Sequence, residues 1–143
     1  MDLKPDPGTY ALVLQSHSNE TIQVGRWGQL DLHPGYYIYV GSAFGPGGVR
    51  ARVSRHLRTE KRMHWHIDYL RANVTPVKVR VSYAGEHLEH EWAGILLAQA
   101  DTVPIQGFGC SDCGCFSHLF FTPGFPTFVL ALPGSRMEGA ATA

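Results

Sequence analysis

No stretch of this sequence stays apolar for anything near the ~20 residues that a membrane-spanning helix needs, so no membrane partner is expected. The opening, MDLKPDPG, has none of the charged-then-apolar pattern of a secretory signal. Cysteine is scarce: three in 143 residues, all between Cys110 and Cys115. An odd, crowded set of that kind does not build the disulfide framework of a small secreted protein. A reducing cytoplasm is the expected home. Net charge is absent too, with 12 basic residues against 12 acidic ones. Internal repeats and linker-like stretches are missing, which leaves one domain over residues 1–143 with an ordered core of about 8–132. A chain of this length can bury roughly two-thirds of its unfolded surface, and an apolar content of 44% is ordinary for a globular protein. Nothing in the sequence sets the oligomeric state.

The zero net charge hides an asymmetry. Arg50, Arg52, Arg55, Arg58, Lys61 and Arg62 place six of the 12 basic residues in one segment, opposed there only by Glu60. A run of this kind is an electrostatic footprint for a polyanion, although a merely solvated helix face is the plainer reading of any charge run. Its surroundings favour the first. Tyr36-Tyr37-Ile38-Tyr39-Val40 fits a half-buried strand, and Gly41 to Gly48 breaks it. From Val49 the period becomes helical, with Val49, Val53 and Leu57 on one stripe. A strand bearing phenols therefore runs into a helix bearing guanidinium groups and an imidazole.

These residues resemble the GIY-YIG nuclease family. Gly8-Thr9-Tyr10 stands for the first family tripeptide and Tyr39-Val40-Gly41 for the second. Arg52 and His56 match the family's Arg-x-x-x-His helix, where four residues make about one turn and both side chains lean over one patch. Arg55-His56-Leu57, His64-Trp65-His66-Ile67-Asp68-Tyr69-Leu70 and Gly107-Phe108-Gly109-Cys110-Ser111-Asp112-Cys113 are similar to a subgroup found alone or fused to endonuclease III-type proteins. The resemblance covers about Gly8 to Phe121. It implies an α/β fold, a small mixed or antiparallel central sheet flanked by about three helices. It also implies DNA as partner, phosphodiester hydrolysis with one Mg2+ or Mn2+ ion, and a place in DNA repair. A non-catalytic nucleic-acid-binding module on the same fold is the alternative, and a cysteine-centred metal or redox protein is a weaker one.

The resemblance assigns the catalytic set to Tyr10, Tyr39, Arg52, His56 and Glu89. Tyr39 would deprotonate water with Tyr10 in support, and Arg52 would hold the phosphate. A phenol needs nearby cations to titrate near neutrality, and Arg52 and His56 are expected to supply them. The plain alternative is that both tyrosines are core residues with bonded hydroxyls. Glu89 would hold the metal, with Glu91 second, and a lone carboxylate completed by water and substrate oxygens suits magnesium or manganese. Arg50, Arg55, Arg58, Lys61, Arg62 and His64 are the expected nucleic-acid contacts. Cys110, Cys113, Cys115 and His118 could ligate zinc, but four ligands in nine residues make a cramped chelate, so a packed corner is expected instead. The family's late asparagine is absent, since none follows Asn73, and Ser117 or His118 is the polar group that could replace it.

Elsewhere, Tyr10–Leu14 reads as a buried strand and Thr21–Val24 as part of a ribbon inserted between the tripeptides. Residues 64–72 read as a short helix, Val77–Val81 as a strand, Glu86–Ala100 as a helix and Thr127–Leu132 as a last strand.

Overall fold

The computed structural model describes residues 3–59, 61–63, 65–108 and 117–137. Along the chain come β1 (Gly8–Ser16), β2 (Thr21–Val24), β3 (Gly28–Asp31), β4 (Gly35–Ala43) and α1 (Gly48–Leu57). They are followed by α2 (His66–Arg71), β5 (Thr75–Ser82), α3 (Glu89–Leu97), β6 (Val103–Pro104) and β7 (Leu119–Thr122). A 3-10 helix (Thr127–Ala131) and β8 (Arg136–Met137) complete the described chain.

Six strands form one sheet in the order β6-β7-β4-β1-β5-β8, and every neighbouring pair is antiparallel. The fold is thus the α/β arrangement expected, with the sheet wholly antiparallel. β1 lies inside it, buried on both faces, which explains its unbroken apolar run. Tyr10, Leu12 and Leu14 point to one face, where Val49 and Val53 of α1 and Ile67 and Leu70 of α2 join them. Ala11 and Val13 point to the other, against Trp92 and Leu96 of α3. Trp92 is fully buried, and its indole N–H is satisfied by the Pro133 carbonyl at 2.9 Å. No helix among the described residues is long and apolar enough to cross a membrane.

The insertion between the tripeptides is the separate β2-β3 hairpin, and it closes the first core through Val24, Leu30 and Leu32. Two expectations need correction. Thr127–Leu132 is not a strand: Val129 and Leu132 donate to the carbonyls three residues back, Pro126 and Val129. That tight turn puts both side chains on one face, packed under α3. α3 is also shorter than its stripe suggests, running from Glu89 to Leu97, and the Leu88 N–H just before it donates to the Thr9 hydroxyl (3.3 Å). β7 escapes sequence reading because LFFT has apolar residues on both sides and no alternation.

Candidate active site

Antiparallel pairing of β1 and β4 sets Tyr10 opposite Gly41 and Leu12 opposite Tyr39. Opposed residues share a face, so the two motif tyrosines stand diagonally on the α1 side, ring centroids 6.4 Å apart. Glycine is needed at both tripeptides. A Cβ on Gly41 would run into the Tyr10 phenol, and one on Gly8 into the Ser82 carbonyl.

From α1, His56 reaches the same place. Its Nε2 lies 2.7 Å from the Tyr10 hydroxyl, and both residues are buried. Burial pushes the Tyr10 phenol well above its ordinary pKa; the neighbouring Tyr39 adds to this and the adjoining Arg52 opposes it. Burial, followed by the charge of Lys61, pushes His56 down to about 3. The pair is therefore a neutral phenol on a neutral imidazole. This corrects one expectation: His56 is not a cation able to lower the pKa of a tyrosine. Among the described residues its Nδ1 has no hydrogen-bond partner.

Arg52, one turn earlier, sits in a partly exposed position. Its Nη1 donates to the Ser42 carbonyl at 3.4 Å, and its guanidinium lies over the Trp65 ring, 4.5 Å from the centroid. No carboxylate among the described residues pairs with it. Arg55 has a different fate. It also lies over Trp65, at 4.3 Å, but both its Nη atoms bind the Asp68 carboxylate, at 2.8 and 3.0 Å. Asp68 is fully buried and also accepts from the Trp65 N–H at 2.9 Å, the carboxylate half of a capping box. Two guanidinium groups thus approach one indole, and among the described residues one of them, Arg55, has a carboxylate partner.

The far side of the site comes from α3. The Leu88–Thr9 bond ties the start of that helix to the residue before Tyr10. The Glu89 carboxylate is 17% exposed, and its charge is felt at the Tyr10 hydroxyl. His118 approaches from the start of β7. Its Nδ1 is 3.0 Å from the Val40 carbonyl, which can only accept, so Nδ1 carries the proton and donates. The same atom is 3.7 Å from Glu89 Oε2. Of the two polar candidates for the missing asparagine's role, His118 reaches toward Glu89, whereas Ser117 turns away to the Ile105 and Leu119 carbonyls.

Tyr10, Tyr39, Arg52 and His56 are thus brought together on the α1 face, Glu89 on α3 is linked to them only by the charge felt at Tyr10, and the remaining expected contacts divide. Arg50, Arg58 and Arg62 are exposed, and Arg50 also donates through Nε to the Leu3 carbonyl (2.8 Å). Arg55 and Lys61 are engaged within the fold. Lys61 is drawn down onto the Arg55 and His56 carbonyls at 3.0 and 2.9 Å, closing the end of α1, and burial lowers its pKa to about 8. Both are better understood as structural cations than as phosphate contacts. The first turn of α1 offers no anion site either, because Val49 and Arg50 donate their N–H groups to the Asp6 and Lys4 carbonyls, each at 2.9 Å. Glu91 is exposed and points away from this cluster. His64, Cys110, Cys113 and Cys115 lie outside the described residues.

No group of three metal-ligating side chains occurs among the described residues. A single, partly exposed carboxylate such as Glu89 fits a hard divalent ion that takes its other oxygens from water and substrate. Sequence reading passed over Trp65 as a core residue and gave Asp68 no role. The signal was present in the i, i+3 spacing of Arg52 and Arg55, which aims both at one neighbour.

The family described as Domain of unknown function DUF123 matches residues 9–131. No curated protein and no solved structure matches the chain.

Proposed function

The chain belongs to the DUF123 family, and we propose that it is a GIY-YIG-type endonuclease that binds DNA and hydrolyses a phosphodiester bond with one divalent ion. Arg52 carries the proposal. A partly exposed guanidinium with no carboxylate partner among the described residues, held over Trp65 and beside the Tyr10 phenol, suits a phosphate oxygen.

In this mechanism Tyr39, the more exposed of the two phenols, acts as its phenolate beside the Arg52 cation and takes a proton from water. The water oxygen bonds to phosphorus, and the bond from phosphorus to the leaving oxygen breaks. Arg52 balances the charge that builds on the phosphate oxygens. The neutral Tyr10–His56 pair fixes the floor beneath Tyr39 without taking the proton. Glu89 would hold the Mg2+ or Mn2+ ion, which when bound polarises the phosphate and stabilises the leaving oxygen.

The test is incubation of the protein with labelled single-stranded, duplex, branched and damaged DNA and with RNA, in magnesium, manganese or chelator. Cleavage that needs the metal and vanishes in Tyr39→Phe and Glu89→Gln is expected. Wild-type cleavage by both variants would overturn the mechanism. Tight binding with no cleavage under any condition would instead favour a binding module.

A further inference from the structure

We propose that Phe44 and His87 form a stacking platform for an unpaired nucleobase at the rim of this site, so that the substrate is single-stranded or locally unpaired nucleic acid. The inference rests on the reading of the site as one that handles nucleic acid.

The two rings are stacked almost as plates, centroids 3.8 Å apart and planes within 20°. Most aromatic pairs in proteins are offset or edge-on at 4.5–7 Å, and the other ring contacts around this site are tilted or T-shaped. Phe44 comes from the turn after β4, two residues beyond Ser42, which accepts from Arg52. His87 comes from the loop before α3, two residues ahead of Glu89. The stack therefore joins a residue two positions from Ser42, whose carbonyl Arg52 of α1 contacts, to one two positions from Glu89 at the start of α3.

His87 is exposed while Phe44 is half-buried, so the protein backs the stack from the phenylalanine side and presents the imidazole to solvent. Its ring makes no hydrogen bond among the described residues. The glycines beside the two rings, Gly45 and Gly85, have open space where a side chain would project. A flat, uncrowded π-face is what a base needs for stacking. A base inside a duplex already stacks on both sides and must be pulled out before it can use such a face. The platform thus selects bases that are already unpaired.

The experiment uses the full chain in chelator with DNA strands carrying 2-aminopurine at successive positions, unpaired or within a duplex, and an end label for anisotropy. Wild-type protein should quench the fluorescence of an unpaired 2-aminopurine at one position severalfold and leave the paired one unchanged. His87→Ala should lose the quenching and bind the single strand about tenfold more weakly, with duplex binding and thermal unfolding as in wild type. His87→Phe should retain the quenching, which a residue that only pins two loops would not require. If the strands bind but quenching is absent at every position, or is unchanged in His87→Ala, the platform is overturned while the nucleic-acid reading stands. If anisotropy shows no binding to either form at low salt, both fall.

Discussion

The Tyr10 hydroxyl and His56 Nε2 stand 2.7 Å apart, each residue only 1% exposed to solvent. The Tyr10 and His56 side chains are therefore spent on each other, and in the proposed reaction the reacting groups are their neighbours.

Tyr10→Phe and Tyr39→Phe should separate these roles. Removing the Tyr10 hydroxyl leaves His56 with neither ring nitrogen satisfied, which costs about 1–3 kcal/mol. A clear fall in thermal midpoint is expected. Tyr39→Phe should abolish turnover with the protein still folded. A Tyr10→Phe midpoint equal to that of wild type would show that the buried bond contributes no stability.

Stability should also depend on pH through His56. Its folded pKa is depressed to about 3, against about 6.5 for an unfolded histidine. Between those values the unfolded chain binds the extra proton and the folded one does not. Stability is thus fully present above pH 6.5 and lost as pH falls toward 3, with a slope of up to about 1.4 kcal/mol per pH unit from this group. Denaturant titrations at pH 7, 6, 5 and 4 should show it. In His56→Gln the slope in this window should shrink.

The cations of α1 and the loop after it should fall into two classes. Arg58→Ala should leave stability unchanged and flatten the dependence of log binding constant on log salt by about one unit. Arg55→Ala strips a partner from a fully buried carboxylate and should cost about 3–5 kcal/mol of stability. An unfolding curve for each decides the matter, and Arg58→Ala unfolding far earlier than Arg55→Ala would invert the assignment.

Trp65 is expected to act through Arg52. Trp65→Leu keeps an apolar side chain but removes the π-face, a contact of about 0.5–2 kcal/mol. Phosphate binding should weaken a few-fold or more, whereas Trp65→Phe should restore most of it. Equal binding by the two variants would mean the indole only fills space.

Much of this arrangement is legible before folding. The unbroken run Tyr10–Leu14 and the alternation of Val77, Val79 and Val81 locate β1 and β5, and the four-residue stripe from Val49 locates α1. Arg52, His56 and Glu89 follow from motif and spacing. What the sequence hides is how each charge is used. Arg52, Arg55 and Arg58 look alike as letters, yet the buried Asp68 neutralises one, the Trp65 face holds another, and the third is left in solvent. Those outcomes depend on a carboxylate 13 residues away in sequence from Arg55. Thr127–Leu132 misleads for a similar reason, because β-branched and aromatic residues suit a strand until Pro126 and Pro133 bound them to a single turn.

The carbonyls of Lys4 and Asp6 that close the first turn of α1 make residues 3–7 a tether on the helix that carries Arg52. Leu3 anchors that tether in the core. A fusion or affinity tag joined directly to this end would pull on the helix that carries Arg52. Activity measured on such a protein would then report the linker as well as the site, and a long flexible spacer, or a tag at the other end, is the sounder preparation for every assay above.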